Sequence, residues 1–183
     1  MQRFVLKRLS FPLALFIAGP AHASEYQGAA TSVHWDGDPP TIIAGCISAA
    51  ARVHRLPAPA LAILLSVEGG TPGRVSQNRN GTVDVGPMQI NERWLPRLAD
   101  HWRAPLPVAF LALRDNFCAN VEAGSWILRT AIDEAGGDFW EGMARYHSHD
   151  PALKTAYLHK VLLQAQRLPA ETPPTRYSQG NRS

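Results

Sequence analysis

The chain has 183 residues, of which 45% are hydrophobic and 18% are charged. This length supports one compact domain with a core and is too short for two full-sized domains, and the apolar content excludes a wholly disordered protein. The formal charge of +3 comes from the N-terminus, because fifteen basic and fifteen acidic side chains remain once Arg3, Lys7 and Arg8 are set aside. The balance therefore does not indicate a nucleic-acid-binding protein.

The N-terminal segment, residues 1–23, has the three-part pattern of a secretory signal peptide. A short basic part, residues 1–8, precedes the apolar stretch Leu9–Gly19, and Ala21-His22-Ala23 has the small-x-small pattern of a cleavage site. The apolar stretch is shorter than the roughly 20 residues that a spanning helix needs. We therefore expect cleavage after Ala23, no membrane span in the mature chain, and a periplasmic location.

Export bears on the two cysteines of the chain, Cys46 and Cys118. Only one pairing exists, and an oxidising compartment favours a disulfide over two buried thiols. The bridge would close a long loop, for which chain entropy gives an idealised stabilisation of about 4 kcal/mol.

The mature chain divides into three parts by composition. Residues 24–40 are polar and glycine-rich and are expected to be an extended lead-in, whereas residues 169–183 are rich in proline and polar side chains and are expected to be a disordered tail. Residues 41–168 form the predicted domain, which we expect to be mainly α in an α+β class, with a small β-hairpin after the second helix.

The elements of this domain follow from apolar spacing and from the proline and glycine residues between them. The Asn80-Gly81 turn signal places the hairpin within Thr71–Val85. Helices are predicted at Thr41–Arg55, Ala60–Val67, Met88–Ala99, Pro105–Leu113, Asn116–Ala135, Asp138–Tyr146 and Pro151–Leu168.

One acid, Glu68, occupies a chemically distinctive position. It follows the apolar residues 63–67 and precedes Gly69-Gly70, so it lies at the C-terminus of a predicted helix, where the helix dipole is negative. The dipole and the apolar neighbours both raise the pKa of a carboxyl group toward the range of a general acid at neutral pH. The alternative is a solvent-exposed acid at a helix end.

A second acid, Asp84, lies in the predicted hairpin. If residues 82–85 form a strand, Asp84 shares a face with Thr82, and a hairpin folded over the preceding helix end would bring it toward Glu68. Two carboxylates that flank a cleft are the groups used in glycoside cleavage. The alternative is structural, since an Asp beside a tight turn often bonds to nearby backbone.

The motifs around these acids resemble the lysozyme-like superfamily, and within it the small, specialised lytic transglycosylases (the SLT type) of secretion, conjugation and pilus machines. Glu68 is followed by an N-x-N-G-x-x-D-x-G-x-M-Q-I-N pattern in residues 78–91. Three further stretches are similar to motifs of that family, namely Asp115–Val121 to "D-P-C-x-N-I", Ala144–Ser148 to "Y-N/H-x-G/S" and Tyr157–Val161 to "Y-x-x-K-V".

The resemblance implies a lysozyme-like fold and an enzyme that cleaves the β-1,4 bond between N-acetylmuramic acid and N-acetylglucosamine in peptidoglycan, with 1,6-anhydro products and without cofactor or metal. Glu68 would protonate the glycosidic oxygen and then act as a base, and Asp84 would face the cleft and assist. Gln89 and Asn91 would bind sugar hydroxyl or acetamido groups.

The resemblance assigns further roles outside the pair of acids. Met88 would pack the cleft floor, for which ordinary core packing is the alternative, and Tyr146 would hydrogen-bond near Glu68. Cys46 matches the cysteine that pairs with the one in the "D-P-C" motif, which is Cys118 here.

Two departures from the family pattern leave alternatives open. Gly69 replaces the usual Ser after the glutamate, and Pro87 replaces the usual Leu before Met-Gln. They keep open a non-catalytic peptidoglycan-binding scaffold, and Asp84 keeps open a lysozyme-type hydrolase that uses Glu68 and Asp84. The implied partners are peptidoglycan strands and the proteins of a type III, type IV or pilus apparatus, and we expect a monomer.

Other residues able to carry chemistry give weaker signals. Trp94 and Trp102 lie near the motif and are candidates for stacking on sugar rings. The His-Ser-His-Asp stretch at residues 147–150 is expected to be a solvated helix end, because alternate residues of a helix do not face the same side and so do not form a metal site.

Overall fold

The computed structural model describes residues 39–168. The predicted signal peptide, the predicted tail and the predicted lead-in up to residue 38 lie outside the described residues. Within residues 39–168 the chain forms seven α-helices, one short 3-10 helix and three short strands. The prediction of a mainly helical α+β fold is confirmed.

The helices are α1 (Pro39–His54), α2 (Ala58–Glu68), α3 (Leu95–Trp102), α4 (Leu106–Asp115), α5 (Phe117–Glu134), α6 (Phe139–His147) and α7 (Pro151–Ala165). They pack around the long central helix α5, which contacts α1, α4 and α6, and α7 packs on α6 and α2. The first turns of α5, α6 and α7 are capped by the side chains of Asn116, Asp138 and Asp150, which accept backbone N–H groups.

The three strands form an antiparallel sheet between α2 and α3 in the chain. Strands β1 (Val75–Gln77), β2 (Val83–Val85) and β3 (Ile90–Asn91) lie in the order β1-β2-β3. Asp84 in the middle strand is paired with Ser76 on one side and with Asn91 on the other. The predicted hairpin is confirmed, and a third strand extends it.

The helix predicted at Met88–Ala99 is wrong in its first half. Residues 88–91 form a turn and strand β3, residues 92–94 form the 3-10 helix, and α3 begins only at Leu95. The backbone N–H of Met88 is held by the Asn120 side chain at 2.8 Å, and β3 pairs with β2. These tertiary hydrogen bonds outweigh the helical spacing of apolar residues on which the prediction for this segment was based.

Cys46 and Cys118 form a disulfide that joins α1 to α5, with their Cα atoms 5.1 Å apart. The predicted pairing is confirmed, and the bridge connects the first described helix to the central one. Among the helices of residues 39–168, none is both long and apolar enough to cross a membrane.

Candidate active site

A cleft of about 690 Å³ is lined by the sheet, by the C-terminal ends of α2 and α6, and by the start of α7. The structure brings five of the predicted site residues to this cleft: Glu68, Asp84, Gln89, Asn91 and Tyr146. The sixth, Met88, is fully buried in the core and does not line it. The cleft therefore contains both acids that the sequence singled out.

Glu68 is the last residue of α2, and the chain turns immediately after it. Gly69 has a left-handed backbone (φ 61°) and its N–H caps the helix at the Leu65 carbonyl, a conformation that favours glycine. Leu64 and Leu61, one and two turns earlier, are fully buried in the core. The buried face of α2 thus anchors the helix, and the C-terminal end of α2 places the Glu68 carboxyl group in the cleft.

The Glu68 carboxyl group has a raised pKa. Burial raises its pKa to about 7, the Asp84 charge adds to the rise, and the Tyr157 hydrogen bond and the Lys160 charge oppose it. The Tyr157 hydroxyl donates to Glu68 Oε1 at 2.5 Å. The predicted upward shift is confirmed, with burial as its largest cause. Near pH 7 both protonation states are populated, as a group that donates and then recovers a proton requires.

Asp84 lies on β2 and lines the same cleft. The Asn91 amide donates to Asp84 Oδ1 at 2.8 Å and to the Thr82 hydroxyl at 2.9 Å, so Thr82 and Asp84 share one face, as predicted. Asn91 Oδ1 also accepts the backbone N–H of Arg93 at 3.2 Å. Asn91 therefore orients the Asp84 carboxylate and starts the 3-10 helix.

The loop between β2 and β3 is held by Asn120, a fully buried polar residue of α5. Its amide donates to the carbonyls of Val85 and Leu113, and its Oδ1 accepts the Met88 N–H. Gly86 has φ +73°, and a Cβ there would overlap the Asn120 amide. Asn120 belongs to the Asp115–Val121 motif but was not predicted as a site residue. A polar residue on the buried face of a helix is itself a signal of such an anchor.

Gln89 has a left-handed backbone (φ 45°), which is uncommon for a residue with a side chain. Its side-chain Nε2 donates to the Gly86 carbonyl at 2.8 Å, and its backbone N–H donates to the same oxygen at 3.1 Å. The tight turn therefore fixes Gln89 in the cleft wall. Strained backbone of this kind is concentrated at functional sites.

Two tyrosines lie beside the acids and hydrogen-bond to different partners. The Tyr146 hydroxyl donates to the Met88 carbonyl at 3.1 Å, whereas Tyr157 of α7 bonds to Glu68. Burial and the Glu68 charge raise the pKa of both phenols, so both remain hydrogen-bond donors. Tyr157 belongs to the Tyr157–Val161 motif, but the sequence analysis did not predict it as a site residue.

His147 at the end of α6 was expected to be part of a solvated helix end. Its ring lines the cleft and stacks on Tyr157, with ring centroids 4.6 Å apart and planes inclined by 2°. Partial burial and the Lys160 charge lower its pKa, and the Asp84 charge opposes them. In the described part of the chain, no three His, Cys, Asp or Glu side chains are grouped to hold a metal ion.

Three arginines lie in the cleft wall beside the two acids. Arg79 in the β1–β2 connection and Arg93 in the 3-10 helix are exposed there. Arg145 of α6 bonds to Glu141 at 2.7 Å, and Lys154 shares the same carboxylate. The two exposed arginines therefore offer cations to a ligand that carries negative charge.

The two candidate tryptophans occupy different places. Trp94 lines the cleft, packs edge-on against Trp126 with centroids 5.9 Å apart, and is covered by the Arg97 guanidinium at 4.6 Å. Trp102 instead donates its indole N–H to Glu122 at 2.6 Å, in a cluster between α3 and α5. Of these two, Trp94 is therefore the one placed to contact a ligand.

The chain matches no protein-family model and no curated protein. The family resemblance of the sequence therefore remains an expectation.

Proposed function

We propose that this protein is a peptidoglycan lytic transglycosylase. The observation that carries the proposal is the Glu68 carboxyl group, which ends a buried helix, has a pKa raised to about 7 and receives a hydrogen bond from Tyr157 in an open cleft. A general acid that also acts as a base needs this poise at neutral pH. The family resemblance names the reaction that uses such a group.

The proposed reaction uses one acid in two steps. The protonated Glu68 gives its proton to the glycosidic oxygen as the bond from that oxygen to the muramic C1 breaks, through an oxocarbenium-like state. The Glu68 carboxylate then takes the proton of the muramic C6 hydroxyl, whose oxygen bonds to C1. The products are a 1,6-anhydro end and a new N-acetylglucosamine end, and Glu68 is protonated again without using water.

The composition of the cleft supports a glycan substrate that carries acidic peptides. Trp94 presents an aromatic ring at the wall, which suits the apolar face of a sugar. Arg79 and Arg93 supply cations for the carboxylates of peptide stems. We propose peptidoglycan strands as the substrate, and a secretion or pilus apparatus as the setting in which local wall opening is needed.

Asp84 supports a second candidate, a lysozyme-type hydrolase. It lines the cleft with Glu68, and its charge contributes to the raised pKa of Glu68. In a hydrolase a second carboxylate stabilises the oxocarbenium-like state and water completes the reaction. In the proposed transglycosylase, Asp84 has the lesser role of assisting by its charge.

The test of the proposal is Glu68→Gln assayed on purified peptidoglycan. We expect release of soluble fragments to fall about 10³-fold, the usual range for loss of a general acid, with an unchanged circular dichroism spectrum. Equal digestion by the variant would refute the assignment. Binding of the wild type to peptidoglycan without any release would instead indicate a scaffold.

The products separate the two enzymatic candidates. Mass spectrometry of the fragments made by the wild type is expected to show mainly 1,6-anhydro ends, which are one water lighter than reducing ends. Mainly reducing ends, together with a large loss of rate in Asp84→Asn, would identify a hydrolase.

A further inference from the structure

Three groups lie in series from the rim of the cleft to the buried acid. The His147 ring stacks parallel to the Tyr157 ring, 4.6 Å between centroids. The Tyr157 hydroxyl, on a side chain that is only 3% exposed, donates to Glu68 Oε1 at 2.5 Å. His147 itself is exposed, so it is the member of the series that solvent protons reach directly.

The charged groups around His147 come from three packed elements. Lys160 on α7 disfavours a second positive charge, Asp84 on β2 favours it, and Glu68 on α2 lies behind the Tyr157 phenol. On its own helix, Arg145 is bonded to Glu141, and Tyr146 keeps its proton. The Tyr157 phenol also keeps its proton, so in this series only the carboxyl group and the imidazole change charge near neutral pH.

We propose that His147 is a positioning residue that acts on Glu68 through Tyr157, so that the neutral imidazole favours the protonated form of Glu68 and the imidazolium ion disfavours it. An imidazolium ion over the phenol ring makes the hydroxyl a stronger donor, which stabilises the Glu68 carboxylate at the expense of the acid.

Glu68 and His147 take up protons in the order that this inference requires. The pKa of Glu68 is raised to about 7 and that of His147 is lowered from 6.5, so the carboxyl group takes up a proton before the imidazole does. Free side chains would protonate in the reverse order. Between the two titrations Glu68 is protonated while His147 is neutral. The inference rests on the proposed function only for its activity readout.

The first test compares pH profiles of peptidoglycan cleavage for wild type and His147→Phe, which keeps a ring for stacking but cannot titrate. We expect the acid limb of the wild-type profile to move to lower pH in the variant. At pH 5 the variant should retain a larger share of its own maximal rate than the wild type retains. His159→Asn removes an exposed histidine from α7 and should keep the wild-type profile. An acid limb that stays in place in His147→Phe would overturn the inference.

The second test asks whether the effect passes through Tyr157. Tyr157→Phe removes the hydroxyl but keeps the stacked ring, so it should move the acid limb as His147→Phe does. The double variant should move the acid limb no further, because the effects of two residues that act through the same series of contacts are not additive. Additive shifts would show that His147 acts without Tyr157 and would overturn the inference.

The third test is independent of catalysis. We expect the Glu68 side-chain carboxyl ¹³C resonance to show a second, smaller titration step below pH 6.5 in the wild type and to lack it in His147→Phe. If the wild type cleaves no peptidoglycan, the proposed function fails, and this measurement still decides the inference. Identical Glu68 titration curves in the two proteins would overturn it.

Discussion

Two partly buried glutamates, Glu68 in the cleft and Glu122 on α5, differ in the direction of their pKa shifts. Glu122 accepts hydrogen bonds from His54 at 2.9 Å, His101 at 3.0 Å and Trp102 at 2.6 Å. Burial alone would raise its pKa, but these bonds together outweigh burial, and the pKa of Glu122 is lowered. Glu122 is therefore a fixed anion that ties α1 and α3 to α5.

Glu68 has one side-chain donor, Tyr157, among the described residues. A single hydrogen bond does not offset burial, and the nearby Asp84 charge adds to the penalty for ionisation. Burial acts on both carboxyl groups in the same direction, so the hydrogen-bond donors and the neighbouring charges decide whether the pKa of a buried carboxyl group falls or rises.

The largest expected effect on stability is the loss of the Glu122 cluster. Glu122→Ala should lower the free energy of unfolding by about 3 kcal/mol at pH 7, because it leaves His54, 8% exposed, and the Trp102 indole without their acceptor. The cost should shrink as the pH falls below 4.5, because a carboxylate with a lowered pKa no longer stabilises the folded state once it is protonated. Urea unfolding at pH 7 and pH 3 measures both values.

The matched control for this variant is Glu134→Ala, an exposed glutamate on the same helix. It should change stability by less than about 0.5 kcal/mol. Equal losses in the two variants would show that the cluster around Glu122 contributes nothing specific.

The opposite sign is expected at Glu68. A raised pKa favours the folded state fully below 4.5, and this contribution is lost as the pH rises through about 7. Glu68→Gln imitates the protonated form at every pH, so it should be more stable than the wild type by about 2 kcal/mol at pH 8. The two proteins should be nearly equal at pH 4. Thermal unfolding across this range would contradict the comparison if the difference did not change with pH.

The smallest expected effect is on the hydrogen bond that distinguishes the cleft. Tyr157→Phe removes a donor that lowers the pKa of Glu68, so the alkaline limb of the activity profile should move up by about one pH unit. Tyr146→Phe, which loses a bond to the Met88 carbonyl instead, should leave that limb in place. A shift in Tyr146→Phe but not in Tyr157→Phe would reverse the roles given to the two phenols.

Much of the cleft was predictable because its determinants are local. Glu68 lies between an apolar helix and two glycines, and Thr82 and Asp84 have the alternation of a strand, so their placement follows from short-range patterns. The disulfide was predictable because Cys46 and Cys118 are the two cysteines of the chain. The error at residues 88–94 arose because Asn120, distant in the sequence, supplies the bond that holds Met88 out of a helix.

The sequence by itself determined the helical class, the hairpin and the pair of acids, since each depends on residue types at short spacing. Only the tertiary structure decided which groups control the charge of Glu68. Tyr157 reaches it from 89 positions away, and His147 reaches Tyr157 from another helix. Desolvation and hydrogen bonding depend on which atoms surround a carboxyl group, and no local pattern specifies that environment.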